Sequence, residues 1–547
     1  MSLLPKYILS KSTFLKGLQC EKALYLYKHH YNLKDKITAQ QQAIFNQGNA
    51  VGELAQDLFM GGVDASPSSY FKMQESVFKT KDFIEAGEKI IYEATFQYNE
   101  VLAALDILVK DEEGWKAYEV KSSTGVSETN IKDAAIQYYT IKNSGIDLKD
   151  ISIVHINNQY VKGGDIDVQQ LFTIESVHDQ VLELLPNIPN EIDRLKGVIR
   201  SSETPKKDIG PHCSDPYDCD FKGTCWKHIP EYSIFNISRL NENKKFELYN
   251  QGVVSLDQID LKTTKLNSNQ LLQVQSEVNR TTYINHDEIS KFIEGLKYPL
   301  YFLDSETMAS AIPVYNNSRP YQQLVFQYSL HIQNKNGKTV HFEYLAEPNP
   351  NIDPREKFVT QLIEDCGSVG DIIVYNIGFE RGKLNDLAEV FPIYSNALKD
   401  IVIRLKDLMI PFQKKWYYTP EMKGSYSIKF VLPALVPELS YDELEIKEGG
   451  TASNTFLTMV NGSFKGDKAK VRRQLLEYCK LDTYAMVKIL ERLKKVLKTF
   501  LLNLIFFFNN LRVNCCLIFN IFELSLLLTS PSSFNNCNFL KVGSPSK

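Results

Sequence analysis

The chain has 547 residues, 43% of them hydrophobic and 23% charged, and a net charge of −4. That length is too great for one core and implies two or three domains, and the charge balance excludes a basic nucleic-acid coat, leaving any such contact to local patches. Nine cysteines spread over so long a chain, with no continuous apolar run between Met1 and Lys16, argue against a secreted disulfide framework and for a reduced, cytoplasmic setting.

Four regions follow in order: an alternating helix and strand pattern over 1–230 that ends in a cysteine-rich segment, a polar helical stretch over 231–297, a second α/β pattern over 298–496, and an abrupt change of composition over 497–547. In the first region Ala104–Lys110 reads as a strand, Asp111–Gly114 as a turn and Trp115–Lys121 as the returning strand. Residues two apart share a strand face, so Glu119 and Lys121 point together with Ala117 and Trp115, while Tyr118 and Val120 point away. Asp106 sits one strand over. Two carboxylates and a lysine meeting on a sheet suit phosphodiester hydrolysis: the acids hold Mg²⁺ or Mn²⁺ and the lysine stabilises developing charge or orients water. The plainer alternative for Glu-x-Lys alone is a solvated ion-pair face.

Cys213, Cys219 and Cys225 form a compact triple in a polar loop, and Cys20 lies far upstream. Thiolates suit iron–sulfur clusters and zinc, with His212 or His228 available to a zinc site. Ser10–Phe14 followed by Gly17–Cys20 resembles the opening of RecB-family nucleases, in particular the CRISPR-associated RecB-like and AddB-type nuclease domains. The resemblance implies a PD-(D/E)xK, restriction-endonuclease-like fold with Asp106 as its second motif and Glu119–Lys121 as its third. It makes Gln137, with Tyr138 beside it in Asp133–Tyr139, the helical active-site pair. It also makes Cys20, Cys213, Cys219 and Cys225 the ligands of a [4Fe–4S] cluster that staples the two ends of the domain, with zinc as the alternative. The sequence departs at the first motif, where a histidine is usual and Gly48–Ala55 offers Gly52 with Glu53 beside it. Glu93 is a second acid that can serve there.

In the third region Tyr301–Thr307 reads as a buried strand carrying Asp304 and Glu306 on one face, and paired carboxylates repel unless a cation separates them. The strand Asp371–Tyr375 leads into a helix whose apolar stripe of Ile377, Leu384, Leu387 and Phe391 includes Glu380. A later helix carries Leu475, Cys479, Met486, Ile489 and Leu493, with Asp482 on the same stripe and Tyr478 one turn before it. A charge on an apolar stripe is costly unless paired or ligating; Cys479 reads as core. The layout resembles the DEDD exonuclease superfamily in its tyrosine variant, which implies an RNase H-like mixed-sheet fold, metal ligation by Asp304, Glu306, Glu380 and Asp482, and a water-positioning Tyr478. Glu380 stands where that pattern has aspartate.

The whole order resembles a bacterial family of unknown function that fuses these two domains, through Ala311–Tyr315, Arg319–Gln323 and Lys423–Lys429, over about residues 8–495. The implied activity is a metal-dependent nuclease acting on nucleic acid, DNA before RNA, in repair or defence; the alternatives are a non-catalytic nucleic-acid-binding scaffold and a redox-responsive regulator. Lys414–Tyr418, continuing to Lys423 and Lys429, interleaves cations and aromatics in a way that suits phosphates and bases, or else is a solvated loop. The 231–297 stretch reads as a helical linker or small module. The tail is apolar but interrupted by Asn503, Asn509, Asn510, Arg512, Asn514, Asn520 and Glu523, too broken for a membrane span, so no stable membrane association is expected; a shifted reading frame is another origin for it.

Overall fold

The computed structural model describes residues 7–69 and 72–510, with side chains through Phe507. It is a mixed α/β protein built around two main sheets.

The first sheet contains β1 (Leu9–Ser10), β2 (Val63–Asp64), β3 (Ile90–Tyr98), β4 (Val101–Lys110), β5 (Trp115–Lys121), β6 (Leu148–Ile156) and β7 (Phe172–Ser176). The spatial order is β2-β3-β4-β5-β6-β7, with β1 added alongside β4. The turn from β3 to β4 uses Asn99 and Glu100 with φ of 47° and 57°, the left-handed pair that matches the twist of a two-residue hairpin. The next turn is closed by Asp111, whose Oδ1 accepts the amides of Glu113 and Gly114.

Helix α1 (Lys11–Gln19) starts directly after β1 because Ser10 and Thr13 form a reciprocal capping box. Helices α2 (Glu21–His29), α3 (Ala39–Ala55) and α4 (Met73–Ala86) follow, and α5 (Glu128–Asn143) makes the crossover from β5 to its parallel neighbour β6. One face of the sheet packs Ala117, Leu105 and Leu108 against the apolar side of α5. The other packs Val51 and Ala55 of α3 with Tyr118 and Val120 of β5.

Residues 231–297 hold a small core of their own, including Ile234, Leu248, Leu256 and Val274. The stretch is mainly helical, but β8 (Tyr283–Ile284) pairs with a strand at Tyr417–Tyr418, and Ile289 and Ile293 join the core of the following domain.

The second sheet contains β9 (Leu300–Met308), β10 (Leu324–Gln333), β11 (Thr339–Leu345), β12 (Asp371–Val374) and β13 (Leu405–Asp407), in the order β11-β10-β9-β12-β13. The first three strands are antiparallel; β12 runs parallel to β9 and β13 to β12. Strand β9 is buried on both faces, which accounts for its nearly continuous apolar start. Leu300 and Phe302 face the long helix Lys468–Asn510, and Tyr301 and Leu303 face the helices Arg355–Cys366 and Ile377–Val390.

That long helix corrects the boundary expected at 497. Leu497 is buried in the core and Phe500 stacks on His286 with ring centroids 3.7 Å apart, so 497–510 belong to the fold. The remainder of the tail, with Cys515, Cys516 and Cys537, lies outside the described residues. Among the described residues no helix is long and apolar enough to cross a membrane.

The two sheets are joined through a loop at 309–323. Lys162 and the loop exchange backbone bonds, Asn317 N to Lys162 O at 2.8 Å and Lys162 N to Ser318 O at 3.1 Å. Gln47 accepts the amide of Ala311, and the buried Arg355 guanidinium donates to the carbonyls of Asn316 and Asn317.

Truncating Leu497 to alanine should lower unfolding stability by about 2–4 kcal/mol, whereas the same change at the exposed Phe506 should alter it by less than ~0.5 kcal/mol. Urea titration of both variants checks this.

Candidate functional site

The first cluster forms where the sheet splits. Strand β5 pairs with β4 only from Ile107 to Lys110, while β1 pairs with the same edge of β4 at Val101 and Leu102. Asp106 sits between these partners, and its Oδ2 accepts the amide of Val120 at 2.6 Å in place of a ladder bond. Glu119 is buried on the neighbouring strand, and its Oε1 accepts from both Lys11 and Lys121 at 2.7 Å. Lys121 also reaches Asp133 Oδ2 at 2.7 Å. The structure thus brings together Asp106, Glu119 and Lys121 as expected, with Gln137 one helical turn beyond Asp133 on α5.

Several buried atoms in this cluster have no partner among the described residues: Glu119 Oε2, Asp133 Oδ1, and both Gln137 side-chain polar atoms. Such groups cost free energy unless something polar fills the space, so the donor set fits a hydrated cation. Burial alone would raise Glu119, but Lys11 and Lys121 override it and hold its carboxyl at about 2. Asp106 goes the other way: burial and the charge of Glu119 push it up to about 7 against the pull of Lys11 and Lys121. Burial opposes the charge on Lys121, yet Glu119, Asp133 and Asp106 hold it well above its usual range, so it keeps its proton.

Of the two acids considered for the first motif, Glu93 is the one at the site. The β3–β4 register pairs Tyr92 with Ile107 and Ala94 with Leu105, which leaves Glu93 opposite Asp106. Glu93 has φ of 55°, a strained conformation for a side chain of this kind that concentrates at functional sites. Burial raises its carboxyl, and Glu119 is among the charges acting on it. Glu53 is exposed on α3, which packs on the opposite face of the sheet. Tyr138 is buried and its hydroxyl meets His178 at 3.1 Å, so it supports α5 rather than entering the cluster.

The four cysteines Cys20, Cys213, Cys219 and Cys225 line one small cavity, with His212 at its wall. His228 is directed elsewhere, to the hydroxyl of Tyr249 at 2.7 Å. Burial, followed by the neighbouring cysteines, pushes the Cys219 thiol up to about 11, and burial likewise raises Cys225. Thiols so placed ionise only if a metal takes the charge, and an all-sulfur donor set fits a soft metal site.

The second cluster lies on β9 under the long helix. Ligand atoms of Asp304, Glu306 and Cys479 lie within 4.8 Å of one another. Cys479 is buried as expected of a core residue, but its Sγ lies 3.7 Å from the Asp304 carbonyl and 3.9 Å from Oδ2. Asp482 accepts from the Tyr441 hydroxyl at 2.5 Å. Glu380 approaches by way of Ser305: one carboxylate oxygen accepts the Ser305 amide at 3.1 Å and the other its hydroxyl at 2.5 Å.

Burial raises all four acids. Asp304 is carried well above its normal range by burial and then by Asp482, Glu306 and Glu380. Burial, with Asp482 and Glu380, lifts Glu306 to about 8. Burial lifts Glu380 to about 7 despite the Ser305 bonds, and Asp482 to about 6 despite Tyr441 and Lys429. Tyr478 is raised by burial and by Asp482, and so stays protonated.

Lys11, Asp133 and Tyr441 were not singled out as site residues from the sequence, and Lys429 was named only as part of a stretch suited to phosphates and bases. Asp133 had a readable signal, four residues before Gln137 on one helix face. Lys429 lies over the rings of Tyr441 and Tyr478, 5.8 and 5.7 Å from their centroids, and is the cation that acts on Glu306 and Asp482. The centre of the cation–aromatic stretch is structural, while Lys414 is exposed. Lys415 is buried 4.2 Å from the Tyr418 ring centroid. Tyr417 and Tyr418 are buried too, and the Tyr418 hydroxyl meets that of Tyr232 at 3.0 Å, so neither ring is free to stack a base.

Acids whose folded-state pKa lies above the unfolded value, near 4, stabilise the fold below that value, and the contribution is lost as pH rises through the folded pKa. For the second cluster the window runs from about 4 up through about 6, 7 and 8 for Asp482, Glu380 and Glu306. Metal-free protein should therefore melt at lower temperature as pH rises across this window, and Mn²⁺ at pH 8 should restore it. Asp304→Asn should melt higher than wild type without metal and gain less from Mn²⁺. A melting series in pH and Mn²⁺ checks all three.

The family model "Domain of unknown function (DUF2779)" matches residues 301–427, which include Asp304, Glu306 and Glu380. An uncharacterized protein of Ureaplasma parvum serovar 3 is 29% identical over 228 residues, 37% of this chain and 32% of that protein. An uncharacterized protein of Mycoplasma genitalium is 26% identical over 223 residues, 37% of this chain and 33% of that protein. The chain thus spans about a third of the length of these relatives.

Proposed function

We propose that this protein is a divalent-metal-dependent nuclease with a PD-(D/E)xK-like site in its first domain, an RNase H-like, DEDD-type site in its second, and an iron–sulfur clamp at Cys20, Cys213, Cys219 and Cys225. The observation that carries the reading is the first cluster: Asp106, Glu119 and Lys121 meet at a split in the sheet, beside buried oxygens and an amide without a partner among the described residues. The five-stranded mixed sheet with Asp304 and Glu306 on its central strand supports the second half of the reading. DNA is the substrate favoured by the sequence resemblance.

Asp106 and Glu119 would hold the metal in the first site, with Glu93 and Gln137 completing its wall. Asp304, Glu306, Asp482 and Glu380 would hold it in the second. Bound Mg²⁺ or Mn²⁺ supplies Lewis-acid polarisation of the phosphate and an activated water. Lys121 stays protonated between Glu119 and Asp133 and donates to the charge that develops on the phosphate. Lys11 offsets the remaining charge on Glu119. In the second site Tyr478 keeps its proton and orients water beside Glu306, while Lys429 balances part of the acid charge.

A second reading has an observation behind it: both Glu380 oxygens are engaged by Ser305, an arrangement that favours a second domain which binds without cutting. Cleavage of end-labelled DNA and RNA in Mn²⁺, with protein purified without oxygen, separates the two. Lys121→Ala should lower cleavage by about 10²–10³-fold. Partial loss in both Lys121→Ala and Asp304→Ala instead makes both sites catalytic, no loss in Asp304→Ala makes the second domain a binding module, loss in Asp304→Ala alone places the chemistry in the second domain, and absence of cleavage by wild type sinks the nuclease reading.

The clamp makes its own prediction. Protein purified without oxygen should be brown and carry about four irons per chain, and Cys213→Ser should lose both the iron and the colour. Stoichiometric zinc without iron would reassign the site.

A further inference from the structure

Lys121 of the first cluster also lines a groove of about 840 Å³. Ser122, Ser123 and Thr124 line it next to Lys121, Arg319 and Tyr321 line it from the second domain, and Tyr217 lines it from the cysteine loop. Both main domains and the cysteine loop thus line one groove, which meets the first cluster at Lys121.

Arg319 is placed with care. Its loop is clamped by the Arg355 guanidinium and by the Lys162 exchange. The turn closes through Gln322, whose Oε1 accepts the Arg319 amide at 3.0 Å. Tyr321 takes φ of 61° and its hydroxyl donates to the Ser122 carbonyl, the residue next to Lys121. Yet the Arg319 guanidinium is exposed and, among the described residues, makes no ion pair or hydrogen bond within the protein. Tyr217 is 62% exposed; its backbone carbonyl is held by Gln19 at 2.7 Å, which leaves its ring to face the groove's contents.

We propose that this groove binds single-stranded nucleic acid and feeds it to the first cluster, with Arg319 of the second domain holding a backbone phosphate and Tyr217 stacking on an unpaired base. The proposal rests on the nuclease reading for its destination, but the binding it describes does not require cleavage. A single strand is the occupant because an exposed aromatic can stack only on a base that is not already paired and stacked within a duplex. One free guanidinium suits a short run of phosphates, whereas duplex binders neutralise many. Arg319 and Tyr217 are positioning residues, acting on the strand rather than on the reacting atoms.

The test is binding of a fluorescent single-stranded DNA, the matching RNA and a duplex DNA to the full chain in EDTA. Wild type should prefer a single strand, and the DNA and RNA arms identify which. Arg319→Ala should weaken that binding several-fold and reduce the slope of log affinity against log salt by about 1. Tyr217→Ala should weaken it roughly 5-fold or more. Neither should change duplex binding or melting temperature. Wild-type binding to no single strand, preference for duplex, or unchanged single-strand affinity in both variants would overturn the proposal. A wild type that binds but never cuts in Mn²⁺ would leave the groove standing and remove the nuclease reading. A wild type that cuts, with both variants binding and cutting as it does, would do the reverse.

Discussion

Carboxylates buried close together must be neutralised, and the two halves of this protein meet that constraint differently. In the first cluster the chain supplies the cations itself: Lys11 and Lys121 share one oxygen of Glu119, and Lys121 bridges on to Asp133. Glu119 is thereby ionised at any ordinary pH, while Asp106, without a direct lysine contact, is not. In the second cluster four acids converge without a direct lysine contact among the described residues: Lys429 acts on Glu306 and Asp482 from above their aromatic neighbours, and Lys383 acts on Glu380. Coulomb repulsion over such distances in a poorly polarisable interior is large. The first site is therefore pre-assembled by its own ion pairs, and the second depends on protons or added cations for its balance.

The backbone around each cluster follows from this. Strand β5 cannot pair with β4 along its whole length, because Asp106 takes the Val120 amide that the ladder would have used. The freed edge of β4 accepts β1, which puts Lys11 one residue past the strand and within reach of Glu119. In the second sheet the acids occupy the face of β9 that meets the long helix, and Ser305, pointing the other way, connects Glu380 to the same strand.

Much of this was readable because it is local and periodic. Alternation placed Glu119 and Lys121 on one strand face, helical stripes singled out Glu380 and Asp482, and Gln137 came from the family resemblance. The partners that arrive from elsewhere were not readable: Lys11 is 108 residues from Glu119 in sequence, and Tyr441 comes from an irregular segment with no period to mark it. Glu53 and Glu93 were equivalent until the structure fixed which face α3 covers. Tyr417 and Tyr418 misled because alternating cations and aromatics look alike whether the rings face solvent or a core. The boundary at 497 failed for a related reason, since a change in composition does not end a helix whose buried stripe continues through Leu497.

The early residues of the first domain have a consequence for synthesis. Leu9 pairs with Val101, Lys11 with Glu119, and Cys20 with the cavity shared by Cys213, Cys219 and Cys225. Each waits for a partner made much later, and the last waits for about 200 residues, roughly 10–40 s at ordinary elongation rates. During that interval the nascent chain carries an unfinished sheet edge and an unpaired lysine, exposed to chaperones and proteases. The cavity that gathers Cys20 with Cys213, Cys219 and Cys225 can close only once the cysteine loop has left the ribosome, which sets the earliest moment at which the fold of this domain is complete.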